Sequence, residues 1–110
     1  MKYLDLAINI ARGNTSAKTY LFGAVAERDD GAIVTSTNIR TQTPEHSAHA
    51  EYRLLKKCGW GATIWVARVD RHGQWAMAKP CVKCATLIKN KGVKKVYYTI
   101  GPNEYGVMIP

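Results

Sequence analysis

The stretch PCVKCATLIKNKGVKKVYYTIGPNEYGVMI, residues 80–109, carries the reading of the fold. Pro80 stands where a first-turn helical proline is tolerated. Cys84, Leu87 and Ile88 follow at helical spacing until Asn90-Lys91-Gly92 stops the helix. Val93 to Ile100 is rich in β-branched and aromatic residues and reads as a strand, and Tyr105 to Ile109 reads as another. Only Gly101-Pro102-Asn103-Glu104 joins the two. A parallel crossover needs about a dozen residues or more, so these strands are expected to be antiparallel neighbours.

Working back from residue 80, Ala62 to Val69 (ATIWVARV) reads as a strand, and Asp70-Arg71-His72-Gly73 turns it into a short return segment, Gln74 to Ala78. Before that, Ser47 can cap a helix that runs to about Lys57 and closes at Cys58-Gly59. Thr19 to Glu27 and Ala32 to Thr37, joined by Arg28-Asp29-Asp30-Gly31, form a β-hairpin. Leu4, Ala7, Ile8 and Ala11 recur on one face of a first helix, residues 2 to 12, which Gly13-Asn14 ends. The order α-β-β-α-β-α-β-β defines an α/β fold, a sheet covered by helices.

At 110 residues the chain has room for one domain, 1–110, and its 46% hydrophobic and 22% charged content is that of a folded protein rather than a disordered one. The charge is uneven. Residues 1–55 hold six basic and six acidic side chains, whereas 56–110 hold ten basic and two acidic and so carry the whole net charge of +8. Such a field suits an anionic partner, a phosphorylated small molecule or a nucleic acid, although a solvated lysine face has the same composition. No stretch approaches the ~18–20 apolar residues that span a bilayer, and the opening Met1-Lys2-Tyr3-Leu4-Asp5 lacks the apolar run of a signal peptide. The expectation is a cytoplasmic protein with no membrane partner. Three cysteines, two of them in Cys81-Val82-Lys83-Cys84, fit metal or redox chemistry better than a disulfide framework, and Cys58 reads as a plain thiol.

Two fragments carry the chemistry: His49-Ala50-Glu51 at the head of one helix and Pro80-Cys81-Val82-Lys83-Cys84 at the head of the next. A C-x-x-C pair alone also serves structural zinc ribbons and redox sites, and a histidine at a helix start is usually a surface group. Together, the fragments offer one imidazole and two thiolates, three ligands that leave the fourth tetrahedral position of zinc open to water. The partial positive charge at a helix N-terminus suits such anionic sulfur ligands. Glu51 diverges from His49 on a helix, so it makes a poor fourth ligand and a better proton carrier beside the activated water.

H-x-E followed by P-C-x-x-C resembles the signature of zinc-dependent nucleobase deaminases. On these residues, and over nearly its whole length, the chain is identified as a member of the cytidine deaminase-like superfamily, the cytidine and deoxycytidylate deaminases. The first hairpin of cytidine deaminases resembles F-x-V-G-A, then D/E-G-x-I, then N-I-E. Here stand Tyr20-Leu21-Phe22-Gly23-Ala24, Asp30-Gly31-Ala32-Ile33 and Asn38-Ile39-Arg40. The resemblance implies a three-layer α-β-α fold. Its five-stranded mixed sheet ends in two antiparallel strands, and zinc sits between two helices on His49, Cys81 and Cys84, with Glu51 shuttling protons. It further implies that Asn38 bonds the substrate sugar, that the backbone of Ala50 reads the base edge, that Tyr20 walls the pocket, and that Pro80 belongs among the substrate-binding residues. A homo-oligomer, dimer or tetramer, is implied as well.

Departures from the pattern bear on the substrate. Nucleoside deaminases usually carry cysteine where His49 stands, and the histidine is more similar to deoxycytidylate deaminases and nucleic-acid editors. Residues 61–66 and 84–98 also look like the deoxycytidylate group. At position 40 the nucleoside enzymes place a glutamate that accepts from sugar hydroxyls. Arg40 removes that acceptor and offers a fork suited to phosphate, unless it points to solvent from a polar loop. Lys79, Lys83, Lys89, Lys91, Lys94 and Lys95 either guide a nucleotide or track a polynucleotide backbone, and Trp60, Trp65, Trp75, Tyr97 and Tyr98 either stack bases or fill the core. His46 and His72 read as loop residues.

The expected function is zinc-dependent hydrolytic deamination of cytosine to uracil in a free nucleoside or nucleotide, with a deoxycytidine monophosphate type of substrate favoured by Arg40. The alternatives are a polynucleotide cytosine deaminase acting on single strands and a non-catalytic, zinc-stabilised nucleic-acid-binding module. Adenine and guanine deaminases share the zinc signature, so the choice of cytosine rests on the Asn38 region and the last strand pair.

Overall fold

The computed structural model describes residues 2–14, 21–38 and 50–110, with the side chains of residues 50–52 outside that description. Helix α1, Lys2–Arg12, buries the expected stripe of Leu4, Ala7, Ile8 and Ala11. Strands β1, Leu21–Glu27, and β2, Ile33–Thr37, pair antiparallel as the hairpin. Its turn is closed by Gly31 N–H donating to Arg28 O at 2.9 Å, and the φ of 89° at Gly31 explains the glycine.

Helix α2, Ala50–Cys58, ends at Gly59, whose φ of 67° makes it a left-handed stop. The expected start of this helix near Ser47 falls outside the described residues. Strand β3, Thr63–Val69, and the two-residue β4, Trp75–Ala76, lead to helix α3, Val82–Asn90, and then to β5, Lys95–Gly101, and β6, Glu104–Met108.

The sheet order is β2-β1-β3-β5-β6, with β4 added beside β3. Only β3 and β5 pair in parallel among the described strands, across the α3 crossover. The expected antiparallel pairing of the last two strands is observed, and Asn103, at φ 60°, supplies the left-handed residue of their turn. The sheet has six strands where five were expected, because the short return segment after residue 73 pairs with β3 as β4.

The strands alternate between two buried faces, the period-two geometry of a sheet with cover on both sides. Val25, Trp65, Ala67 and Val69 pack under α1. Ala24, Ala26, Ile64, Val66 and Val96 pack under Leu54, Leu55 and Cys58 of α2 and Ile88 of α3. The result is the three-layer α-β-α arrangement. Gly23 allows α1 to approach this closely: a Cβ there would lie 2.2 Å from Ala7 O and 2.7 Å from Ala11 N.

Candidate metal centre

The Cys-x-x-Cys segment sits at the start of α3. Cys81 is the N-cap, with extended φ −66° and ψ 167°, and Cys84 is the third helical residue. These are the two positions of a capping box, whose side chains converge on the helix entrance. Pro80 therefore lies one residue before the cap and not in the first turn. The first helical bond runs from Ala85 N–H to Cys81 O at 2.8 Å. Cys84 is fully buried while Cys81 is exposed, and neither is in a disulfide. The pair thus presents one sulfur from the protein interior and one from its surface at a helix entrance, a donor set that suits zinc.

Of the other candidates, Asn38 and the first turn of α2 lie at the same end of the sheet. Leu21, at the start of β1, pairs with Val69 at the end of β3, and Gly23 pairs with Thr37 at the end of β2. Asn38 is therefore at the end of the sheet where β3 finishes, and from β3 the chain runs through β4 to Cys81. Helix α2 starts there too. Arg53, near its N-terminus, donates to Thr37 O at 3.0 Å, while Lys57, in its last turn, donates to Thr35 O at 3.0 Å, farther down β2. The backbone of Ala50 and Glu51 forms the first turn of that helix, and their side chains lie outside the described residues. His49, Arg40 and Tyr20 also lie outside them. No group of three metal-ligating side chains occurs among the described residues.

Asn38 is held from its oxygen side. Its Oδ1 accepts from Asn14 Nδ2 at 2.7 Å and from Phe22 N–H at 3.0 Å, and its backbone carbonyl accepts from the same Asn14 amide at 3.1 Å. The Phe22 donor fixes which end of the carboxamide is oxygen. Asn14 was legible only as the residue after a helix stop; its role here as the tie between α1 and the site end of the sheet has no signature in the sequence. Thr99, fully buried in β5, is a second such residue.

The basic residues do not form one patch. Lys79 and Lys83 are exposed on either side of Cys81. Lys89 and Lys91 lie at the opposite end of α3, about 13 Å along the axis of a nine-residue helix. Lys94 pairs with Asp29 of the β1–β2 turn at 3.1 Å. The aromatic residues divide in the same way. Trp65 is buried and stacks on Tyr97 with ring centroids 5.7 Å apart, so this pair belongs to the core. Trp60 is 73% exposed but rests against Gly92 at the far end of α3. Cys58 is buried beneath α2, and burial raises its thiol pKa above the usual value, as expected of a structural thiol.

Comparison with known proteins places the chain. The cytidine and deoxycytidylate deaminase zinc-binding region matches residues 1–100, and the chain belongs to that family. No curated protein sequence matches. Among solved structures, the chain is similar to a cytidine deaminase from Burkholderia pseudomallei at 16% identity and a TM-score of 0.70, covering 98% of this chain and 90% of that one. It is also similar to the Mycobacterium leprae enzyme (22% identity, TM-score 0.63, 96% and 90% covered) and to that of Mycobacterium tuberculosis (23%, 0.55, 91% and 87%). At these identities the structural matches establish the fold, a cytidine deaminase-like α-β-α sandwich. The family is a zinc-binding one, which implies Zn2+ for this chain. No helix among the described residues is long and apolar enough to cross a membrane.

Proposed function

We propose that residues 1–110 form one zinc-dependent hydrolase domain that converts cytosine to uracil in a free pyrimidine nucleoside or nucleotide. The observation that carries this reading is the convergence of Cys81, Cys84, Asn38 and the first turn of α2 at one end of the sheet. Cys81, Cys84 and His49 would hold the metal. Bound there, zinc would act as a Lewis acid that brings the pKa of a water down to about 7. Glu51 takes one proton from the attacking water and delivers it to the ring nitrogen beside the carbon under attack, then carries the second, from the hydroxyl left on that carbon, to the amino group, so that the carbonyl forms as the C–N bond breaks and ammonia departs. The backbone of Ala50 reads the base edge, and Tyr20 walls the pocket. Pro80, buried before the cap, belongs with the substrate-binding residues.

Asn38 is the sugar contact. Its Oδ1 accepts from Asn14 and Phe22, which orients the carboxamide at this end of the sheet. Lys79 and Lys83, exposed beside Cys81, support a phosphorylated substrate together with Arg40. We place the protein in the cytoplasm, whose reducing conditions keep a Cys-x-x-Cys pair available to a metal. Tyr105 and Val107, exposed on the edge strand β6, and Ile109, exposed just beyond it, support association into a dimer or tetramer.

The test is a competition. Zinc-loaded protein receives cytidine, deoxycytidine, their monophosphates and a single-stranded cytosine-containing oligonucleotide together, and each product is quantified by mass spectrometry. Uracil in the monomers, foremost the monophosphates, is expected. Uracil confined to the oligonucleotide would make the protein a polynucleotide deaminase, and zinc binding with no product at all would make it a binding module.

A further inference from the structure

We infer that Thr99 is a positioning residue for Cys81, fixing where the exposed thiol enters the metal centre; this rests on the reading of Cys81 and Cys84 as zinc ligands. Strands β3 and β5 run parallel in register as far as Val66 beside Tyr98. Beyond that point they part, and β4 takes the place beside β3, with Arg68 opposite Ala76. Thr99 stands at this fork, fully buried. Its hydroxyl accepts from Arg68 N–H at 3.1 Å and donates to Ala76 O at 2.7 Å, and its carbonyl accepts from Ala78 N–H at 2.9 Å. One residue therefore ties the last turn of β3 and both ends of the segment 76–78 to β5.

The connection from Ala78 to Cys81 is short and stiff. Ala78 and Pro80 are both buried, with Lys79 exposed between them. Proline has a fixed φ and holds the residue before it in an extended conformation, so a displacement at Ala78 passes to Cys81 instead of being absorbed. Cys84 is held by burial in the helix, whereas Cys81 is held on one side by its carbonyl, which accepts from Ala85 N–H, and on the other by the Ala78–Pro80 connection, so a shift of that connection reorients Cys81 at the helix entrance. The bridge needs a group that donates and accepts at once. A hydroxyl does both, and valine, of the same shape, does neither.

The experiment measures zinc affinity by competition with a chromophoric chelator for the wild-type protein, Thr99→Val and Thr99→Ser, alongside the melting temperature of each metal-free protein. Thr99→Val is expected to weaken zinc about tenfold or more, the loss typical of supports behind metal ligands, and Thr99→Ser to restore most of it. A lower melting temperature with unchanged zinc affinity would make Thr99 merely structural and overturn the inference. A wild-type protein that takes up no zinc would remove the metal-site reading itself, and this inference with it. Should Thr99→Val fail to fold, hydrogen exchange on the wild type decides. Coupling is reciprocal, so zinc must increase the protection of the Arg68 and Ala78 amides, and unchanged protection overturns the inference.

Discussion

Exchanging Glu51 for glutamine keeps the size of the side chain and removes its ability to carry a proton. Turnover is expected to fall on the order of 100-fold or more while one zinc is retained, checked by steady-state kinetics and metal analysis. Asn38→Asp separates two roles of one residue: the acceptor for Asn14 and Phe22 survives, and the Nδ2 donor is lost. A raised KM with little change in melting temperature is expected, and the reverse pattern would reduce Asn38 to a hairpin tie. The three thiols should differ in the folded, metal-free protein, with Cys81 alkylated first and Cys58 last, read by mass spectrometry of quenched samples. Since burial raises the Cys58 pKa, the folded state holds that proton more tightly than the unfolded chain. The thiol's contribution to stability is complete below the unfolded pKa and fades as pH rises through the folded one. Cys81 and Cys84 were legible in the sequence because spacing alone binds them to one helix entrance. The holding of Asn38 by Asn14 was not, because it depends on α1 ending beside the sheet, a tertiary fact.

The helices and strands were legible where periodicity is strong. Helix α1 has the bounds its apolar stripe predicts, and the hairpin, β3 and the antiparallel pair of β5 with β6 follow from turn residues and connection length. The entrance of α3 differs by a residue or two from the sequence reading, since Cys81 adopts extended geometry and caps the helix that Pro80 was expected to open. Strand β4 escaped the reading as a strand. Its two residues pair only because β3 and β5 diverge around Thr99, and no local pattern records that divergence. Packing tests follow from the layers. Leu54→Ala, in the fully buried face of α2, is expected to cost about 2–5 kcal/mol in chemical denaturation. Gly23→Ala must push α1 from the sheet, and a loss of about 2 kcal/mol or more is expected. A neutral Gly23→Ala would contradict this close approach of α1 to β1.

Across the protein, the lysines of α3 and its flanks divide between the two ends of that helix. Charge composition counted those lysines together, whereas the chain places Lys79 and Lys83 beside Cys81 and takes Lys89, Lys91 and Lys94 to the far side. Weak dependence of turnover on salt for an unphosphorylated nucleoside, and stronger dependence for its monophosphate, is the expected signature of the near pair. The most direct measurement is uracil formation from deoxycytidine monophosphate by protein stripped of metal and then titrated with zinc. Product formation should vanish on stripping and return in proportion to zinc, reaching its plateau at one equivalent. Turnover that persists without metal, or a protein that binds one zinc and releases no uracil product from any cytosine nucleoside or nucleotide, would contradict the reading of this site as a zinc-dependent cytosine deaminase.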